Sequence, residues 1–139
     1  MPYRHAFAEL HSSSFDGVSI LLADDFEPWR SYIRSFLHEN TTWNIVFEAC
    51  DGCEAVQKTV ELHPDVVLLD VSMPGLNGIE AAKKIRQLSP DSRIIFLSEN
   101  ADEEVIGAAL EAGAVGYVLK REVSTELLPA VQVALQARP

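Results

Sequence analysis

Hydrophobic positions along the chain follow two alternating rhythms. Five short runs rich in β-branched residues, at 18–22, 43–47, 66–69, 94–97 and 115–119, have the length of strands. At least three of them are apolar throughout instead of alternating with polar residues, the pattern of strands covered on both faces of a parallel sheet. Between the runs the period changes to that of a helix. Trp29, Ile33, Phe36 and Leu37 form one apolar stripe behind Pro28, which a first helical turn tolerates. Similar stripes recur at Ala55, Val56, Thr59 and Val60, at Ile79, Ala82 and Ile85, at Val105, Ala109 and Leu110, and at Leu127, Val131 and Leu135. The turn formers Asp51–Gly52, His63–Pro64–Asp65, Pro74–Gly75, Ser89–Pro90–Asp91 and Ala112–Gly113 fall between these segments. Strict alternation of strand and helix predicts an α/β fold: a doubly wound, five-stranded parallel sheet with helices on both faces. The repeating units occupy residues 17–137. Residues 1–16 are expected to form an N-terminal extension, and 138–139 a C-terminal tail or the start of a linker.

Composition sharpens this picture. The 139 residues carry 47% hydrophobic and 23% charged side chains, enough for one packed core and unlike a disordered polymer. A net charge of −10, with no basic stripe to offset it, opposes contact with phosphate backbones, so direct nucleic-acid binding by this chain is not expected. No run approaches the ~20 apolar residues that cross a bilayer, and the first residues lack a signal-peptide pattern. The expected setting is cytoplasmic, with no membrane partner. Two cysteines, Cys50 and Cys53, are too few for a disulfide scaffold.

Candidate chemistry lies at the strand ends, because doubly wound sheets bind ligands at the carboxyl edge. Asp24 and Asp25 follow the first apolar run and Asp70 the third. A single Asp there has a plainer reading as a helix cap or turn residue. Two adjacent carboxylates facing a third repel one another unless a cation offsets them. An oxygen-only set suits a hard cation such as Mg²⁺, which shares its coordination between carboxylates, water and phosphate oxygens. Ser98 follows the fourth run and Lys120 the fifth. Either alone reads as a cap or a solvated charge; together with the aspartates they point to phosphoryl chemistry.

The stretches Ile20-Leu21-Leu22-Ala23-Asp24-Asp25, DVVLLDVSMPGLNG from Asp65 to Gly78, Ser98, and Gly116-Tyr117-Val118-Leu119-Lys120 give the chain its resemblance to the receiver domains of two-component response regulators. GIEAAKKIRQLSPDSRIIFLS and ALEAGAVGYVLK look most like the NarL/FixJ subgroup, whose members usually carry a helix-turn-helix output domain. Whether such a domain accompanies this chain is left open. The resemblance implies a flavodoxin-like sheet of strand order 2-1-3-4-5. It implies Asp70 as acceptor of a phosphoryl group from a sensor histidine kinase. Mg²⁺ would be held by Asp24, Asp25, Asp70 and the main-chain carbonyl of Ser72. Lys120 and Ser98 would bind the phosphoryl group, Ser98 and Tyr117 would act as the switch, and a homodimer would form through the fourth helix, fifth strand and fifth helix. Such a domain is regulatory and not an enzyme, although it assists its own phosphorylation and dephosphorylation.

Two features depart from the family pattern. Glu99 occupies the position after Ser98, where receivers usually have a small or apolar residue, and a carboxylate there could repel the phosphoryl donor. Arg121 follows Lys120, where many relatives have proline. Glu99 motivates a first rival reading, a degenerate receiver that binds partners without phosphorylation. Cys50-Asp51-Gly52-Cys53 has dithiol spacing and motivates a second, a redox domain. The histidines at 5, 11, 38 and 63 show no ligand spacing and read as surface or packing residues.

Overall fold

The computed structural model of the protein describes residues 17–136; the expected extension at 1–16 and tail at 138–139 lie outside the described residues. Strands and helices alternate as β1 (Ser19–Ala23), α1 (Glu27–Asn40), β2 (Asn44–Ala49), α2 (Gly52–Leu62), β3 (Val66–Leu69), α3 (Gly78–Leu88), β4 (Arg93–Ser98), α4 (Glu103–Glu111), β5 (Gly116–Leu119) and α5 (Val123–Gln136), with a 3₁₀ turn at Lys120–Glu122 before α5. The strands form one parallel sheet of order β2-β1-β3-β4-β5. The predicted strands are all present, with ends shifted by at most two residues.

Each strand feeds both sides of the sheet, which explains its unbroken apolar character. In β1, Leu21 and Ala23 face a cluster completed by Ala55 of α2, Ala81 and Ile85 of α3, and Ala109 of α4. Ile20 and Leu22 face the opposite cluster, with Ile33 and Leu37 of α1 and Leu127 and Val131 of α5. The period-two pleat therefore divides one apolar run between two cores. Only the edge strand β2 alternates visibly, with Val46 outward. Val60 and Leu110, which the helical spacing puts on inner stripes, instead lie at the stripes' margins and are exposed. Among the residues of α4, Ala109 is the one that is buried, so this helix is thinly anchored.

Asp51, Asn77 and Asp102 cap α2, α3 and α4 by accepting from the backbone N–H of Glu54, Glu80 and Glu104 at 2.8, 3.0 and 2.8 Å. Helix α1 starts differently: Phe26 is its N-cap and offers no side-chain bond, while Pro28 sits in the first turn. The neighbouring aspartates are thus free of capping duty. No helix among the described residues is long and apolar enough to cross a membrane.

Candidate functional site

The central position of β1 beside β3 builds the site. Ala23 pairs with Leu69, so the next residues, Asp24 and Asp70, leave the sheet side by side. Backbone bonds fix both exits: Asp24 N–H donates to the Ala49 carbonyl and Asp70 N–H to the Ala23 carbonyl, each at 3.0 Å. Carboxylate oxygens of Asp24, Asp25 and Asp70 all fall within 4.8 Å of one another. Asp24 and Asp70 are buried and Asp25 is exposed. Lys120, delivered by the end of β5, donates to Asp24 Oδ2 at 2.7 Å and lies 3.8 Å from Asp70 Oδ2. Asp24 Oδ1 accepts from the Phe26 N–H at 2.8 Å. Asp24 is therefore an Asx-turn residue held by an ammonium, not a helix cap.

This geometry perturbs Asp70. Burial pushes its carboxyl up to about 6; Lys120 pulls it back, Asp24 raises it, the Ser72 backbone N–H lowers it, and Asp25 raises it again. One ammonium does not neutralise three carboxylates, and the donor set is oxygen alone. Both properties fit a small hard divalent cation. Beside Asp25 an open cleft of ≈ 670 Å³, lined by Ser72, Met73, Asn77 and Val105, leaves room for an incoming group. A buried carboxylate 3.8 Å from an ammonium, with the cleft opening beside its neighbour Asp25, has the chemistry of a nucleophile toward phosphorus.

Ser98, at the end of β4, is buried, and its Oγ accepts from the Asn100 N–H at 3.0 Å. The Tyr117 hydroxyl donates to the Asn100 carbonyl at 2.6 Å, with its ring 6.1 Å from that of Phe96. The Asn100 backbone is thus bracketed by the two residues expected to act as the switch. Glu99, between Ser98 and Asn100, is exposed. Cys50 and Cys53 are free and exposed, and a hydrogen bond to Glu54 pushes the Cys50 thiol up, away from the thiolate a dithiol catalyst uses.

Sequence reasoning missed three contributors. Arg30 donates to the Asp24 main-chain carbonyl at 2.7 Å and to Glu48 at 3.2 Å. Lys120 Nζ stands 5.0 Å from the centre of the Trp29 ring. At Gly78 a Cβ would run into the Asp70 carbonyl oxygen. Arg30 and Trp29 carry no sequence signal, because each reads as an ordinary helix position. Gly78 closes the stretch that carries the family resemblance, but that stretch gives no physical reason for a glycine there.

Comparison with known proteins identifies the family. The family model described as response regulator receiver domain matches residues 20–132. The transcriptional regulatory protein LiaR of Bacillus subtilis is 38% identical over 122 residues, covering 88% of this chain and 58% of that protein. The chain thus spans little more than half the length of this curated relative. The signal receiver domain of a putative response regulator NarL from Mycobacterium tuberculosis superposes with a TM-score of 0.82 at 31% identity, covering 88% of this chain and 98% of that one. A CheX-CheY-BeF3-Mg+2 complex from Borrelia burgdorferi contains a chain matched at a TM-score of 0.81 and 25% identity, over 86% of this chain and 90% of its own. The family match and the relatives show that this chain belongs to the response regulator receiver domain family, and its relatives are of the NarL/LiaR type.

Proposed function

We propose that residues 17–137 form a phosphoacceptor domain that takes a phosphoryl group from a sensor histidine kinase onto Asp70, with Mg²⁺, and switches an output surface. The observation that carries this reading is the convergence of Asp24, Asp25 and Asp70 with Lys120 at one sheet edge. A carboxylate oxygen of Asp70 attacks the phosphorus of a phosphohistidine; the new P–O bond forms as the P–N bond breaks, and its electron pair leaves with the imidazole nitrogen. Asp24, Asp25, Asp70 and the Ser72 carbonyl would hold Mg²⁺, which supplies positive charge against the transferred group. The complex from Borrelia, solved with BeF3 and Mg, supports Mg²⁺ as the cation. Lys120 pairs with the phosphoryl oxygens, and Ser98 donates a hydrogen bond to one of them.

The switch follows from the bracket around Asn100. Drawing Ser98 toward a phosphoryl oxygen alters the bond it accepts from Asn100, and Tyr117, bonded to the same residue, responds. Helix α4, anchored by so little buried surface, is the element free to follow. The face made by α4, β5 and α5 is the output surface in this reading, through a homodimer or a docked partner. The domain is regulatory and assists its own phosphorylation and dephosphorylation. A second reading, a phosphorylation-independent binding module, is favoured by Glu99 beside the site.

Intact mass after incubation with Mg²⁺ and acetyl phosphate separates the two. One phosphoryl group on the wild type and none on Asp70→Asn is expected, with light scattering of the phosphorylated chain reading its oligomeric state. An unmodified wild type that still binds Mg²⁺ and also fails with a kinase donor would establish the binding module instead.

A further inference from the structure

We propose that Arg30 is a positioning residue for the acidic site, holding the main-chain carbonyl of Asp24 and through it the Asp24–Asp25 turn. The inference rests on the reading of that site as a Mg²⁺ site.

Arg30 spans three elements. From α1 its Nε donates to Glu48 Oε1 of β2 at 3.2 Å, and its Nη1 donates to the Asp24 carbonyl at the end of β1 at 2.7 Å. The planar guanidinium makes both bonds at once, so fixing Glu48 aims the second arm at Asp24. Glu48 is itself fixed. Arg34 donates to its Oε2 at 2.6 Å and to its Oε1 at 2.9 Å. Only 15% of the Arg30 side chain is exposed against 47% for Arg34, so the two arginines on one glutamate are not equivalent. The inner one touches the acidic turn, and the outer one does not.

Arg30 completes the restraint of Asp24. Its N–H is spent on Ala49, its Oδ1 accepts from Phe26 and its Oδ2 from Lys120. The carbonyl is the remaining polar atom of Asp24; it belongs to the peptide that links Asp24 to Asp25, and Arg30 holds it. A cation that draws on both carboxylates needs that peptide in one orientation, and residues that orient metal ligands commonly govern affinity about 10-fold or more.

Charge alone predicts the opposite. Arg30 is a cation beside a cation site, so its removal, by Coulomb's law, should tighten Mg²⁺ binding. The sign of the change therefore distinguishes positioning from bulk electrostatics. A purely structural role would lower the melting temperature without moving affinity.

The test is calorimetric titration of Mg²⁺ into wild type, Arg30→Met, Arg30→Lys and Arg34→Met, with thermal melts of each. Arg30→Met should bind Mg²⁺ about 10-fold more weakly. Arg30→Lys, which keeps the charge but cannot hold Glu48 and Asp24 together, should lose affinity in the same direction. Arg34→Met removes the same charge from the same glutamate and should leave affinity within about twofold. Unchanged or tighter binding in both Arg30 variants, or an equal loss in Arg34→Met, would overturn the proposal. Absence of Mg²⁺ binding in the wild type would instead overturn the reading beneath it, and is visible before any variant is titrated.

Discussion

Asp70 is a buried carboxylate among like charges. The strand that delivers it buries it, two neighbouring carboxylates oppose its ionisation, and one ammonium only partly compensates, leaving the carboxyl at about 6 instead of its ordinary 3.8. Between those values the folded chain holds a proton that the unfolded chain has released. Stability therefore falls as pH rises from about 4 to about 6, and the cost is fully present at neutral pH. Asp70→Asn keeps the shape and removes the charge. Urea melts without Mg²⁺ should show this variant more stable than wild type by about 1–2 kcal/mol at pH 7, after discounting for solvent screening. The gain should disappear below about pH 4; an equal gain at both pH values would mean that packing, not ionisation, is responsible. The acid is thus stored in a strained protonation balance that a divalent cation or a phosphoryl group can use.

At the scale of elements, α3 begins directly against the backbone of the acceptor. Its first residue, Gly78, donates to the Val71 carbonyl at 2.8 Å, and any Cβ there would meet the Asp70 carbonyl and the Val71 backbone. Backbone cannot yield as a flexible side chain does. Gly78→Ala should destabilise the fold by about 2–3 kcal/mol. Gly107 in α4 gives the contrast, since a Cβ added there meets nothing within 4 Å. Gly107→Ala in a helix interior should stabilise by about 0.5–1 kcal/mol. Paired denaturant titrations read both signs at once, and two changes of the same sign would contradict this packing account. Helical pattern by itself does not tell the two glycines apart. The helical period that locates α3 and α4 is local, whereas the surface against which each glycine packs arrives from another part of the chain.

For the whole molecule, charge sets the terms of approach. The chain carries −10, and Glu99, Asp25 and Glu27 are exposed around the carboxyl edge of the sheet. Small phosphodonors such as acetyl phosphate are anions and meet a repulsive field that salt screens. At saturating Mg²⁺, the initial rate of phosphorylation by acetyl phosphate should rise with ionic strength. Glu99→Ala should raise the low-salt rate by about 2–5-fold and flatten the salt response. A rate that falls with salt in both proteins, followed by intact mass, would remove Glu99 as a gate and weaken the case for a degenerate receiver.

Much of this molecule is written in local pattern. Side-chain periods of two and of 3.6 are properties of neighbouring residues, so β1 to β5 and α1 to α5 could be located from their apolar positions. Unbroken runs such as Val66–Leu69 already required cover on both faces. Acids directly after strands placed the chemistry at the carboxyl edge. Strand order was legible only through the family resemblance, and it is strand order that sets β1 against β3 and so Asp24 beside Asp70. Lys120 reaches Asp24 from 96 residues away, and Arg30 reaches the same residue because β2 presents Glu48 at the right height. The raised Asp70 carboxyl, the bracket on Asn100 and the tight seat of Gly78 likewise depend on which elements meet. A sequence specifies its elements through neighbours in the chain, whereas burial, charge pairing and close backbone approach are set by neighbours in space, which the packed fold alone brings together.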